Sequence, residues 1–400
     1  MLKTILFVDD ELQILKSITR LFMDTEYEVI TAESGEEALN ILENENKNVD
    51  VIVSDMKMPK MSGYELLSQV RKRFPNIVRI ILSGFSEERI IFDALQKNIA
   101  KLYILKPWEN SILIDTIEKV FQIESVLRNN NNVLKLVKNA EELPTIKTSY
   151  QKIINVIENN EEIYKIVDAI ECDNSIVTKL LHIVNSSYYA VKTGSIKRAV
   201  AYLGLDNIKN IVIASAFIDG LSFNSKDNQR LEILWEHAFI SNRIISIVYN
   251  EFLNKKIPET EMNAGLLSNV GIIFMIHSFH DKYMEIFDEV KIHHTSIIEL
   301  ENKAFGTNHQ EIGGYLLQWW DIPLPIVEAA LYHHNPFHTN IINQQIVYAA
   351  HIAEKYAWDI LGEEYHTQFY ENVFDELKID KVKFEKKLKE TLELSGLGGV

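Results

Sequence analysis

One cysteine in 400 residues leaves no partner for an intramolecular disulfide. Cys172 stands in Ile170-Glu171-Cys172-Asp173 with no second thiol for a CxxC motif. It reads as a buried or half-buried structural residue of a protein in a reducing compartment. Long hydrophobic runs are missing too. Val270 to Ile276 falls far short of the roughly 18 apolar residues that span a bilayer. The apolar run at the N-terminus stops at Asp9, which predicts a strand rather than a signal peptide. These absences predict a cytoplasmic protein with no membrane partner. Basic residues are in deficit as well: 41 Lys and Arg stand against 57 Asp and Glu, a formal charge of −16. Neutralising phosphates needs a basic surface, so a nucleic-acid partner is not expected. The acidity is spread over both halves of the chain and reads as solubility.

What remains is an ordinary globular composition, 46% hydrophobic and 24% charged, over a length that suits two or three domains. In the first quarter, short apolar runs alternate with amphipathic ones, as a doubly wound α/β sheet requires. Strands are predicted near 4–9, 27–32, 50–55, 78–83 and 101–105, with helices near 11–24, 35–45, 62–73, 86–97 and 109–127. Asp9 and Asp10 close the first run, Thr4 to Val8. Asp55 closes Val51 to Ser54, Ser83 closes Ile80 to Leu82, and Lys106 closes Leu102 to Leu105. The carboxyl ends of parallel strands share one edge, where such sheets bind ligands. Three carboxylates, a hydroxyl and an ammonium therefore meet in one crevice. Like charges a few ångströms apart repel strongly, and a hard divalent cation such as Mg²⁺ relieves that.

The set DD (9–10), SDMKMPKMSGYEL (54–66), LSGFSE (82–87) and LYILKPW (102–108) resembles the receiver domain of two-component response regulators. The resemblance implies a receiver over 1–125 with strand order 2-1-3-4-5. It implies Asp55 as phosphoacceptor and Asp9, Asp10, Asp55 and the backbone carbonyl of Lys57 as Mg²⁺ ligands. It further implies Ser83 as switch hydroxyl, Tyr103 as switch aromatic, Lys106 as the phosphoryl-binding cation before a cis Pro107, and a sensor histidine kinase as partner.

Asn129 to Asn132 favour turns, and 126–140 reads as a linker. Beyond it strand signals almost vanish, and apolar residues recur at helical spacing, as in Ile163, Ile166, Val167 and Ile170. Gly194, Gly204 and Gly220 sit at predicted helix ends. Residues 141–395 read as all-α, with a core of about 141–350. LPTI (143–146), TKLLHIVNSSYYA (178–190), SIKRAVAYLGLDNIKNIVIA (195–214), NAGLLSNVGIIFM (263–275) and the segment 305–336 resemble the HDOD domain, a branch of the HD metal-dependent phosphohydrolases regarded as regulatory and protein-binding.

On that resemblance His237, His309, His333 and His334 occupy metal-ligand positions of an HD enzyme, but Ser268 and Asn269 replace its central His-Asp pair. Ile272 replaces a Lys, and His351 stands near the place of a late Asp. Neutral Ser and Asn do not replace a carboxylate that bridges metals, and no compensating carboxylate is evident nearby in sequence. The expectation is a degenerate site with no metal, no enzyme activity beyond autophosphotransfer at the receiver, and an output through an unidentified downstream protein or a homodimer. Two alternatives stay open: a cyclic-dinucleotide phosphodiesterase, although NPFHTN follows His333-His334 without a Gly-Tyr-Pro, and a non-hydrolytic nucleotide receptor. His293-His294 read as surface, Trp319-Trp320 as packing at a helix end, Asn185-Ser186-Ser187 as helix punctuation, Phe305-Gly306 as a helix C-cap, and 381–394 as an amphipathic helix.

Overall fold

A computed structural model describes residues 3–43, 48–84, 88–128, 161–172, 193–205, 225–258, 260–293, 295–363 and 367–394, with 132–133, 136, 153, 156–157, 176–177, 180–181, 208 and 211–212. The LPTI segment, Asn185-Ser186-Ser187, Gly220, His294 and most of 126–140 lie outside them. The chain divides into two compact units, Met1–Phe121 and Gln122–Val400.

In the first unit, β1 (Lys3–Val8), β2 (Tyr27–Ala32), β3 (Val51–Asp55), β4 (Val78–Gly84) and β5 (Leu102–Lys106) form one parallel sheet. Its order is β2-β1-β3-β4-β5. Helices α1 (Leu12–Leu21), α2 (Gly35–Glu43), α3 (Gly63–Arg73), α4 (Glu88–Gln96) and α5 (Asn110–Arg128) alternate with the strands. Ile5 to Val8, Val51 to Val53 and Ile80 to Leu82 are continuous buried apolar runs. That is the pattern of central parallel strands covered on both faces. The edge strands β2 and β5 carry exposed residues and bury less. Helix α3 begins at a reciprocal cap: the Ser62 hydroxyl accepts the Glu65 N–H, and the Glu65 carboxylate accepts the Ser62 N–H. Its first residue, Gly63, packs so closely that a Cβ there would lie 2.0 Å from the Asp55 carbonyl oxygen. This contact holds α3 against the end of β3.

The second unit is helical among the described residues. It contains α6 (Ile163–Glu171), α7 (Ile196–Leu203), α8 (Ser225–Ile247) running into a π-helical turn (Val248–Phe252), α9 (Ala264–Leu267), α10 (Val270–His293), α11 (Ile297–Phe305), α12 (His309–Trp319), α13 (Leu324–Tyr332), α14 (Gln344–Leu361), α15 (Val373–Glu376) and α16 (Lys381–Leu394). The large core draws on α8 to α16. A smaller cluster gathers Ile166 and Ile170 of α6, Val200 of α7, and Ile153 and Ile208. Gly306 closes α11 in the left-handed conformation with φ 70°, which suits glycine. Gly271 lets α10 meet α12 at backbone distance, since a Cβ there would be 1.9 Å from the His309 carbonyl oxygen. No helix among the described residues is long and apolar enough to cross a membrane.

Two expectations are corrected here. Cys172 is exposed, because it caps the C-terminus of α6 on the side away from Ile166 and Ile170. Trp319 is also exposed at the end of α12, so Trp320 alone of the pair packs on the core.

Arg79 is the largest fully buried side chain among the described residues. Its guanidinium donates to the carbonyls of Ile77 (2.9 Å), Asn98 (3.2 Å) and Ile99 (2.9 Å), tying the turn after α4 to the base of β4. Arg79→Ala strands those carbonyls and is expected to cost about 2–4 kcal/mol. Urea unfolding of the full chain tests this. Arg79→Lys, which keeps the charge but not the fork, should recover less than half of the loss, and an unchanged midpoint in Arg79→Ala contradicts it.

Candidate functional site

The carboxyl edge of the sheet gathers the strand-end side chains. Asp9 follows β1 and is buried, Asp55 ends β3 and is buried, and Lys106 ends β5. The Lys106 ammonium donates to Asp9 Oδ2 at 2.7 Å and also to Asp55 Oδ1. Backbone amides supply further donors: Glu11 N–H to Asp9 Oδ1 at 2.9 Å and Lys57 N–H to Asp55 Oδ2 at 3.0 Å. Burial pushes the Asp55 carboxyl above its ordinary 3.8; Lys106 and the Lys57 amide pull it back, the Asp9 charge adds to the rise, and the net shift is upward. For Lys106, burial favours the neutral amine, but hydrogen bonds and charge from Asp55 and Asp9 outweigh it and hold the ammonium above its ordinary 10.5. The two directions agree physically: one ammonium shared by two carboxylates is well satisfied, while the carboxylates are not.

Asp10 is exposed and lines an open groove with Lys57, Ser62, Tyr64 and Ile90. The Tyr64 hydroxyl donates to Asp93 at 2.8 Å and fixes one wall. Ser83 is buried, with its hydroxyl 3.5 Å from the Gly84 carbonyl oxygen. Tyr103 is 45% exposed on β5, turned away from the sheet interior. The Lys106–Pro107 peptide is cis. Hard oxygen donors in excess of cationic charge fit Mg²⁺, which Asp9, Asp10 and Asp55 could hold.

A second polar cluster lies buried in the helical unit. His237 comes from α8, Asn269 from the turn after α9, Glu301 from α11, His309 from the first turn of α12, His333 and His334 from the end of α13, and Glu354 from α14. None is more than 9% exposed. Both Glu301 oxygens face His309 Nδ1, at 2.8 and 3.0 Å, and Glu301 also accepts the His309 backbone N–H at 3.0 Å and the Tyr283 hydroxyl. His309 Nδ1 therefore donates to Glu301. His309 Nε2 lies 3.2 Å from His334 Nε2. His333 Nδ1 lies 2.9 Å from the Ala330 carbonyl oxygen and 3.1 Å from that of Ala329, while its Nε2 has no partner. One ring nitrogen from each of His309, His333 and His334 lies within 4.8 Å of the others.

The other side of the cluster is closed by hydrogen bonds. Asn269 Nδ2 donates to Glu354 Oε2 at 2.8 Å and lies 3.4 Å from His237 Nδ1. Trp358 Nε1 donates to Glu354 Oε1 at 2.7 Å, and its ring stacks on His237. Burial pushes His237, His333 and His334 below the ordinary 6.5, His333 to about 4. Burial opposes ionisation of Glu354, but the neighbouring histidines and the bonds from Trp358 and Asn269 hold its carboxyl below the ordinary 4.5.

A family model of the response regulator receiver domain matches residues 5–118, and one of the HDOD domain matches 143–336. The chain is 32% identical over 116 residues to the chemotaxis protein CheY of Listeria monocytogenes, covering 29% of this chain and 95% of that protein. The chain is a response regulator with a receiver and an HDOD domain. It is 37% identical over 123 residues, 31% of this chain, to the hydrogenase transcriptional regulatory protein HoxA of Cupriavidus necator, of which it spans about a quarter (25%). A signal transduction protein of Marinobacter aquaeolei VT8 shares the fold at TM-score 0.52 and 18% identity, over 70% of this chain and 66% of that one.

In the HDOD domain the expected late acid position is corrected. His351 Nδ1 is bound at 2.6 Å to the His333 carbonyl and its Nε2 accepts the Tyr370 N–H at 2.9 Å, so its ring serves the backbone. The carboxylate comes from Glu354, one helical turn further along the same face. Two carboxylates distant in sequence from Ser268 and Asn269, Glu301 and Glu354, reach the cluster. Ser268 stays outside, donating back to the Gly265 carbonyl at 3.4 Å. His293 is exposed, as expected.

For the receiver, Asp10→Asn removes one of three anionic groups. It is expected to weaken Mg²⁺ binding by about tenfold or more, while making the ion-free protein more heat-stable by relieving repulsion. Fluorescence titration with Mg²⁺ and thermal melts in chelator measure both. Equal Mg²⁺ affinity in variant and wild type contradicts the site.

Proposed function

We propose that Asp55 is the phosphoacceptor of this response regulator, that a sensor histidine kinase is its donor, and that the HDOD domain is a non-hydrolytic, protein-binding output in the cytoplasm. The observation that carries the receiver reading is the Lys106 ammonium held between Asp9 and Asp55 at the ends of three strands. An Asp55 carboxylate oxygen attacks phosphorus, an O–P bond forms, the P–N bond to the donor imidazole breaks, and the imidazole leaves. Mg²⁺, when bound by Asp9, Asp10, Asp55 and the Lys57 carbonyl, neutralises charge on the transferring group. Lys106 exchanges its bond to Asp55 for one to the acyl phosphate, and the Lys57 N–H stays within reach of the same group. Ser83 then turns to a phosphoryl oxygen and Tyr103 moves inward from its exposed position, a local charge event with a distant readout. The non-hydrolytic reading of the HDOD domain is supported by Asn269, whose amide nitrogen is spent on Glu354 where a hydrolase needs a bridging carboxylate.

A small phosphodonor with Mg²⁺ is expected to place one phosphoryl group per chain, mapped by mass spectrometry to Asp55 and absent from Asp55→Ala. Lys106→Ala should still be modified but lose the conformational response. Modification that persists in Asp55→Ala contradicts the assignment. The HDOD part is tested separately: turnover of a cyclic dinucleotide in the presence of Mn²⁺, lost on mutating His309, overturns the non-hydrolytic reading.

A further inference from the structure

The histidines of the HDOD domain carry features that a hydrogen-bonded core does not need. His309 is oriented by a buried carboxylate, Glu301, that fixes its proton on Nδ1. Carboxylates stand behind metal-bound imidazoles for this purpose, since they direct the lone pair forward and raise its basicity. His333 is oriented in the same sense by backbone carbonyls, which leaves its buried Nε2 without a partner. An unsatisfied buried polar atom is costly and needs an explanation. His334 brings its Nε2 to 3.2 Å from that of His309. In a tetrahedral site with Zn–N bonds of about 2.0–2.1 Å, ligand nitrogens stand about 3.3–3.4 Å apart. The His309–His334 pair is close to that spacing, and a ring nitrogen of His333 lies within 4.8 Å of both.

Charge points the same way. Glu301 and Glu354 are buried, and among the described residues neither is paired with a Lys or Arg. Two buried carboxylates with no Lys or Arg beside them are short of cationic partners, which a low-dielectric interior does not tolerate cheaply. One divalent cation balances both.

We propose that His309, His333 and His334 hold a single divalent transition-metal ion of the Zn²⁺ class, with Glu301 and Glu354 as its surrounding anions. The site takes one ion and not two. On the other side, Asn269 supplies an amide donor to Glu354, and the His237 ring is engaged by Asn269, Ser241 and Glu354. A lone ion with no bridging carboxylate is consistent with a structural or partner-responsive role. The inference does not rest on phosphotransfer at Asp55. It reverses the expectation that loss of the His-Asp pair leaves the domain without metal, because that expectation took no account of Glu301 and Glu354.

Co²⁺ titration of the chelator-treated full chain, with Mg²⁺ kept in excess to occupy the receiver, tests the proposal. One Co²⁺ per chain is expected, with the intense visible absorption of four-coordinate, nitrogen-rich cobalt, bleached by one equivalent of Zn²⁺. His309→Gln and His333→Ala should lose that absorption while keeping wild-type far-ultraviolet circular dichroism. The wild-type spectrum decides the matter even where a variant fails to fold. Only the weak spectrum of six-coordinate Co²⁺, or a band that survives in folded His333→Ala, overturns the proposal and leaves the cluster a hydrogen-bonded core.

Discussion

Crowding of negative charge at the carboxyl edge of the sheet is the constraint on which the receiver depends. Parallel pairing of β1 with β3, β3 with β4 and β4 with β5 brings Asp9, Asp55 and Lys106 to one edge, and no rearrangement short of unpairing strands separates them. One ammonium cannot satisfy two carboxylates plus Asp10. The net shift of Asp55 toward protonation comes first from burial, and the Asp9 charge adds to it. Such a pocket draws a cation and then favours a charge-dispersing reaction at the carboxylate the cation leaves reactive. Supporting contacts keep the frame stiff: Gly63 against the Asp55 carbonyl, the Ser62–Glu65 cap beside it, and Arg79 buttressing β4 from the far end.

The same electrostatic logic runs in reverse inside the HDOD domain. There, burial pushes His237, His333 and His334 below the ordinary value, and neither Glu301 nor Glu354 is paired with a Lys or Arg among the described residues. Hydrogen bonds account for the Asn269 amide nitrogen, His237 and both oxygens of Glu354, but leave His333 Nε2 without a partner. Five helices and the turn after α9 meet at this point, and the close approach permitted by Gly271 sets where His309 stands. Degeneracy of the His-Asp pair thus alters the charge and ligand number of the site without emptying it of chemistry.

Much of the receiver was legible in the sequence because its functional residues end apolar runs. A reader who recognises strands has located Asp9, Asp55, Ser83 and Lys106 together, since topology alone brings strand ends to one edge. The helical domain offered no such shortcut. His309, His333 and His334 were visible by resemblance, but Glu301 and Glu354 lie on amphipathic helices where an acidic residue ordinarily faces water. Nothing in local pattern marks which Glu of α11 or α14 turns inward. His351 stands near the late acid position by resemblance, while the carboxylate that reaches the cluster, Glu354, lies one turn further on. Cys172 and Trp319 misled for the converse reason, as residue types usually buried that fall at helix ends, where the stripe has already turned to solvent.

The central claim is that charge at Asp55 governs the HDOD domain. Hydrogen–deuterium exchange on the full chain, with and without beryllofluoride and Mg²⁺, tests it most directly, with Asp55→Asn as the comparison. The account predicts changed exchange around β5 and in helices of the HDOD domain in wild type, and none in Asp55→Asn. Wild-type exchange that changes only around Asp55, with every HDOD peptide unaltered, would contradict it.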